Sequence, residues 1–257
     1  MLSTRQVHYR AGRKEILQGI DAFFETGLFH VIVGPNGSGK STFLKVFSGE
    51  IKPQAGEIFY NEKNVFALDK TRLAQMRSVM SQQPELYFPL TVEEIVMMGR
   101  YPYFKYKPGR QDIRICTDAM KKMEVEELAG RDYLTLSGGE KQRVQFARVL
   151  AQVGDVENEN KYLFLDEAVS HLDLKHQHQL LKLAKELCSH RVTVIAILHD
   201  LNLALHYADR ILFMKEGKIA FDINDSSKMT PGMIREVFDV DAKIVALEPG
   251  QKPFVIF

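Results

Sequence analysis

The chain has 257 residues, enough to bury one large core or a core with a small subdomain, and its 34 Lys and Arg against 33 Asp and Glu leave a formal charge of +1. That balance removes any global electrostatic case for nucleic acid binding. Its two cysteines, Cys116 and Cys188, stand outside any metal-binding spacing and suit a reducing compartment. No apolar run approaches the roughly 20 residues that cross a bilayer, and Met1 to Arg10 lacks a signal-peptide core, so a role at a membrane would require another subunit.

The first informative element is Leu28 to Val33, an apolar run with β-branched members that reads as a buried strand. It leads into Gly34, Pro35, Asn36, Gly37, Ser38, Gly39, Lys40, Ser41 and Thr42, which fit the phosphate-loop pattern of Gly, four residues, then Gly-Lys-Ser. From Lys40 to Phe47, the apolar Phe43, Leu44 and Phe47 recur at helical spacing. Strand, glycine loop and helix is the frame that aims successive backbone N–H groups at phosphate oxygens, at the positive end of a helix. Lys40 is placed to reach the β- and γ-phosphates and the Ser41 hydroxyl to ligate Mg²⁺. A plain glycine turn would need neither residue.

Downstream, residues 85 to 149 read as a mainly helical insert in an α/β nucleotide core that spans 1 to 84 and resumes from 150 to 257. Val92 to Gly99 and Ile113 to Met123 are expected helices. The insert is rich in aromatics near its start: Tyr87, Phe88, Tyr101, Tyr103, Phe104 and Tyr106. About half of these are expected only to pack the insert.

The insert ends at Leu136, Ser137, Gly138, Gly139 and Glu140, which open a helical run from Lys141 to Gln152 with an apolar stripe of Val144, Ala147, Leu150 and Ala151. Ser137 and Glu140 have the spacing of a capping box. The two glycines between them are not needed for a cap, and a helix start with free N–H groups and a hydroxyl suits an anion.

After a polar stretch from Gly154 to Asn160 that reads as a surface loop, Lys161 to Leu165 is another apolar strand, and it ends in Asp166 and Glu167. In a parallel sheet the C-terminal strand edge faces the ligand crevice. Asp166 can then serve a Mg²⁺ shell while Glu167 polarises an attacking water. Of the histidines that follow, His176 and His178 stand two apart on an expected helix and share no face, which argues against metal binding with His171. Val192 to Leu198 is the next buried strand, followed by His199. Taken alone, His199 reads equally well as a satisfied strand-end histidine.

Taken as a set, these residues resemble the ATP-binding cassette (ABC) ATPases along nearly the whole chain. The resemblance implies an α/β fold, a P-loop NTPase (RecA-like) core with an antiparallel β edge and an inserted helical subdomain. It makes the glycine loop a Walker A motif, Tyr162 to Glu167 a Walker B motif with its catalytic glutamate, and Leu136 to Glu140 the signature motif. Gln82 resembles the Q-loop glutamine that contacts Mg²⁺, with Gln83 beside it as the alternative. Asp173 falls in a D-loop, His199 is similar to the switch histidine at the γ-phosphate, and Tyr9 stands where the family stacks an aromatic on adenine. Two cassettes are then expected to pack head to tail as a homodimer, each signature closing the other subunit's ATP site. The aromatic segment falls where the family receives a cytoplasmic helix of its permease, so several of its members are expected to be partly exposed.

The pattern departs from the family at Ala168 and Val169, where most members have Pro-Thr, and at Glu140, where many have Gln. The first change removes proline's fixed φ from the turn after Glu167 and raises the expectation of slower or looser hydrolysis. Thr91 to Pro102, Ser170 to Leu174 and Leu198 to Leu203 are similar to the cassettes of importers for iron-siderophores, cobalamin and haem. Within that group Arg131 to Tyr133, Val149 to Gln152 and Leu163 to Glu167 resemble the haem-importing members. The resemblance implies an ATPase at the cytoplasmic face of the inner membrane that energises haem uptake with ATP and Mg²⁺. Its partners would be a permease dimer and, indirectly, a periplasmic haem-binding protein, with no direct contact to haem and none to nucleic acid. Import of a ferric siderophore or cobalamin would use the same residues. A non-transport ABC ATPase acting on ribosomes or DNA is the more remote alternative, since neither a second cassette nor a long coiled coil is present.

Overall fold

The computed structural model describes residues 1–81, 89–154, 159–246 and 252–257. Two long strands come first, β1 (Leu2–Ala11) and β2 (Lys14–Phe24), then β3 (Phe29–Val33) and, after the glycine loop, α1 (Lys40–Phe47). A short hairpin follows, β4 (Ala55–Tyr60) with β5 (Lys63–Asn64), then α2 (Lys70–Met76) and β6 (Arg77–Met80). Next come α3 (Val92–Met97), α4 (Arg110–Lys122) and α5 (Gly138–Val153). β7 (Lys161–Asp166), α6 (Leu174–Cys188), β8 (Val192–Ile197) and α7 (Leu201–Tyr207) then alternate. β9 (Arg210–Lys215), β10 (Lys218–Ile223), α8 (Pro231–Phe238), β11 (Lys243–Val245) and β12 (Phe254–Ile256) complete the described chain.

Among the described residues, the largest sheet has the order β10-β9-β3-β8-β7-β6. β9, β3, β8, β7 and β6 run parallel, and β10 is an antiparallel edge joined by a two-residue turn at Glu216 and Gly217, both with positive φ. A second, antiparallel sheet has the order β2-β1-β4-β5.

The continuous apolar strands have a simple cause: the central sheet is covered on both faces. Every residue of β3, β7 and β8 is buried. Alternate side chains go to two different cores. Leu163 and Leu165 of β7, with Val192, Val194 and Ala196 of β8, join a cluster formed with α3 to α8. Tyr162 and Phe164, with Ile195 and Ile197, face the antiparallel sheet and α1, where Phe43 and Phe47 fill the gap. The first cluster runs unbroken from Val92, Ile95 and Met120 through Val144 and Ala147 to the central sheet, so the inserted helices share one core with it.

Two helices differ in extent from the sequence expectation. α3 stops at Met97 and tightens into a 3₁₀ turn over Met98–Tyr103. Gly99 lies against the Arg148 carbonyl of α5, so closely that a Cβ would collide with it, and Pro102 follows. α4 begins at Arg110, earlier than Ile113, because Asp112 turns back to accept from the Gly109 N–H at 2.9 Å while also pairing with Arg100 at 2.9 Å.

What matters for the site is register. Ile32 pairs with Ile197, and Ile197 with Asp166, so β3, β8 and β7 end in one row. The loops that start at Gly34, Glu167 and His199 therefore leave the sheet side by side, at its C-terminal edge. No helix among the described residues is long and apolar enough to cross a membrane.

Candidate nucleotide site

The glycine loop is shaped by backbone needs before any ligand enters. Gly34 has φ +155° and lies so near the Met214 carbonyl of β9 that a Cβ could not fit, and Gly39, in the left-handed region at φ +101°, caps α1. Asn36 and Gly37 at the crest are exposed, Pro35, Gly39, Ser41 and Thr42 are half-buried, and Ser38 and Lys40 are buried. The Ser38 hydroxyl is buried with no hydrogen-bond partner among the described residues. An orphaned buried hydroxyl inside a loop of this shape is a place for an acceptor from outside the protein.

Lys40 folds over the loop. Its ammonium donates to the carbonyls of Gly34 at 2.7 Å and Pro35 at 2.9 Å. Burial pushes its pKa down, opposed by the carboxylates of Glu167 and Asp166. Two carbonyls are weak compensation for a desolvated cation, so the ammonium is ready to exchange them for an anion.

The Ser41 hydroxyl donates to Asp166 Oδ1 at 3.1 Å, joining residues far apart in sequence. Asp166 is buried, and that burial pushes its pKa up, with the Ser41 hydrogen bond pulling the other way and the neighbouring Glu167 adding to the rise. A hydroxyl and a carboxylate side by side are the oxygen donors that a hard divalent cation takes, and a cation there would relieve the buried charge.

Next to Asp166, Glu167 has φ +54°, a left-handed conformation that costs free energy in a residue with a side chain. Its Oε1 meets Nε2 of His199 at 2.7 Å. Both line a cleft of about 270 Å³ with Ser170, Gln177, Asp200 and Leu203. The turn after Glu167 lacks proline but is held by other means. The Glu167 carbonyl accepts from the Ser170 N–H at 3.2 Å, the Ser170 hydroxyl at 3.0 Å and the Gln142 amide at 3.4 Å. Ala168 and Val169 bury into the core beneath it.

Gln142 is the residue that motif reading passed over. Besides reaching Glu167, its Oε1 accepts from the His171 N–H at 3.2 Å, so it ties the α5 start to the turn between β7 and α6. The available signal was a glutamine in the buried stripe with Val149, one helical turn after Gly138.

Ser137 and Glu140 form a complete capping box. The Glu140 N–H donates to Ser137 Oγ at 3.3 Å, and the Ser137 N–H and hydroxyl donate to Glu140 Oε2 at 2.8 Å and 2.7 Å. These bonds, the hydroxyl first, hold the Glu140 carboxyl below its ordinary range. Gly138 and Gly139 stand at the same helix start, with nothing crowding Gly138. Asp173 caps α6 by accepting from the His176 N–H at 2.9 Å, and it also contacts the His176 ring at 2.8 Å. His178 instead turns to the Tyr207 hydroxyl at 2.8 Å, and His171 contacts Ser170.

Tyr9 lies on β1 opposite Leu17 of β2, half-buried against the second core and one strand away from the Ile16 carbonyl that backs Gly39. Gln82, Gln83, Tyr87 and Phe88 lie outside the described residues. Of the remaining aromatics, Tyr106 and Tyr101 are exposed. Tyr103 packs under Arg100, its hydroxyl on the Gln152 carbonyl at 2.7 Å.

Known proteins resemble this chain along nearly its whole length. The chain is 40% identical over its full length to the hemin import ATP-binding protein HmuV of Mesorhizobium japonicum, covering 98% of that protein. It is 36% identical to the protein of the same name from Escherichia coli O157:H7, covering 99% of it. An ABC transporter solved in an inward-facing conformation and assigned to the metal-chelate type superposes with a TM-score of 0.80 at 25% identity, over 99% of this chain and 95% of that one. A bacterial ABC transporter cassette solved as a dimer gives 0.77 at 28% identity, over 87% and 98%. With a family model described as ABC transporter matching residues 17–170, the chain belongs to the ABC transporter family.

Proposed function

We propose that this chain is the ATP-hydrolysing subunit of a membrane importer for haem, working as a head-to-tail dimer of identical cassettes at the cytoplasmic face of the inner membrane. The observation that carries the ATPase part is the convergence of three loops at one sheet edge. They bring together Lys40, the Ser41–Asp166 pair at 3.1 Å and the Glu167–His199 pair at 2.7 Å.

In this reading the loop from Gly34 to Thr42 wraps the phosphates, with Lys40 exchanging its carbonyl contacts for phosphate oxygens and Ser38 gaining its missing partner. Ser41 and Asp166, with Gln82, would hold Mg²⁺, which when bound neutralises charge on the β- and γ-phosphates. Glu167 orients and polarises the attacking water, and His199 fixes that carboxylate and faces the γ-phosphate. Tyr9 offers a ring to adenine. Ser137, Gly138, Gly139 and Glu140 serve the partner subunit's nucleotide, with Asp173 near the same interface. Gln142 then links the signature helix of one site to Glu167 of the other.

The haem assignment draws its support from hemin-import relatives that match along the whole length. No residue of this chain is assigned to touch haem. The exposed Tyr101 and Tyr106 suit docking to a permease helix. The deciding experiment is reconstitution with the permease in a membrane, measuring ATPase activity as ligand-loaded periplasmic binding proteins are added. Stimulation by the haem-loaded carrier is expected. Stimulation by a ferric siderophore or cobalamin carrier alone would overturn the substrate and leave the importer role intact.

A further inference from the structure

The helix that follows His199 is gripped at both ends by the last stretch of the chain. In the first turn of α7, Oδ1 of Asn202 accepts from the Val255 N–H at 2.8 Å and its Nδ2 donates to the Val255 carbonyl at 3.1 Å. At the other end the Lys252 ammonium donates to the carbonyls of His206 at 2.8 Å and Ala208 at 3.3 Å. Val255 itself is buried in the same cluster as Leu201 and Leu203.

Each contact has a physical reason. Helix C-terminal carbonyls have no partner within the helix and favour a cation. A side-chain amide can satisfy one backbone N–H and one C=O together, as a neighbouring strand would. Asparagine is a poor helix former and adds nothing to α7 from within. A helix of seven residues is too short to hold its shape in water unaided, so its placement depends on what grips it.

That placement reaches the catalytic edge in three short steps. Asp200 caps α7 by accepting from the backbone N–H groups of Asn202 at 2.7 Å and Leu203 at 3.2 Å. His199 precedes Asp200 and meets Glu167 at 2.7 Å. We infer that Asn202 and Lys252 are positioning residues for His199, and that the C-terminal strand acts as a brace setting the angle of the switch histidine. The inference rests on the reading of His199 as the group facing the γ-phosphate.

The test uses the full-length protein with Asn202→Ala, Lys252→Met and Lys252→Arg, measuring steady-state ATPase kcat, binding of a non-hydrolysable ATP analogue and the ¹⁵N imidazole resonances of His199. Asn202→Ala and Lys252→Met should each lower kcat by about tenfold, shift or broaden the His199 signals and leave analogue affinity unchanged. Lys252→Arg, which still donates to both carbonyls, should restore kcat. Introduced into a His199→Ala background, Asn202→Ala should add no further loss, since both act through one group. If Asn202→Ala does not fold, the exposed Lys252→Met carries the same measurements. Unmoved His199 resonances with unchanged kcat, or an equal loss in the His199→Ala background, would overturn the brace. Wild-type hydrolysis by His199→Ala alone would instead remove the reading of the site on which the brace depends.

Discussion

Glu167 and His199 meet Oε1 to Nε2 at 2.7 Å across the ends of two parallel strands, and Glu167 holds a left-handed backbone to do so. The Glu167 side chain is 15% exposed and that of His199 45%, so the carboxylate is oriented from the protein side while the imidazole remains open to a ligand. A strained residue with a shielded, oriented carboxylate in a cleft is an arrangement suited to positioning a water molecule.

Glu167→Gln keeps the shape and the contact to His199 while removing the charge proposed to polarise water. Hydrolysis should fall by about 10²- to 10⁴-fold with ATP binding retained. Light scattering after size exclusion should then find a long-lived dimer with ATP. A variant that stays monomeric with ATP and hydrolyses it at the wild-type rate would remove Glu167 from the role.

Lys40→Ala takes the cation from the loop and leaves the Gly34 and Pro35 carbonyls to water. Charge-assisted hydrogen bonds of this kind are worth about 1.5–3 kcal/mol, so ATP affinity should drop by roughly 10- to 100-fold. Titration with a fluorescent ATP analogue measures this directly, and unchanged affinity would mean that phosphates bind elsewhere.

The parts of the site that were legible in the sequence are those whose chemistry is local. The glycine loop needs its residues consecutive because the backbone itself does the wrapping, and β3, β7 and β8 read as strands because burial on both faces makes each a short, mostly apolar run. Ser137 and Glu140 were legible as a capping box for the same reason, three residues apart on one helix start. Gln142, Asn202 and Lys252 were not, because a lone polar residue in a helix or tail gives no sign of which distant backbone group it will meet. Helix ends shifted where close packing decided, as at Gly99 against Arg148.

Ser137 caps α5, and the proposed function gives it a second role at the partner subunit's nucleotide; substitution can separate the two. Ser137→Ala removes the α5 cap and should cost about 1 kcal/mol of stability, read by thermal melts, while leaving room at the helix start. Ser137→Arg places a bulky side chain beside Gly138 and Gly139, so dimer hydrolysis should be lost while each subunit still binds ATP in its own loop. Loss of nucleotide binding as well in a folded Ser137→Arg protein would contradict the division between own-loop and partner-signature contacts.

His30 gives the fold a pH dependence separate from catalysis. It is fully buried in β3, packs edge-on to Phe24 at 4.9 Å between ring centroids and donates from Nε2 to the Glu25 carbonyl at 3.0 Å, leaving Nδ1 without a partner among the described residues. Burial pushes its pKa from 6.5 down to about 4, against the smaller upward pull of that hydrogen bond. The unfolded chain therefore takes up a proton near pH 6.5, whereas the folded chain refuses it until about pH 4. Stability from this group is intact above pH 6.5 and is lost as pH falls through that window, by about 3 kcal/mol in all and at most about 1.4 kcal/mol per pH unit. Urea unfolding at a series of pH values should show that slope, and His30→Phe, which keeps an aromatic edge against Phe24 and has nothing to titrate, should flatten it. The slope is the readout, because the variant also loses the hydrogen bond to Glu25 and will differ in absolute stability at every pH. An equal slope in His30→Phe would assign the acid sensitivity to other groups.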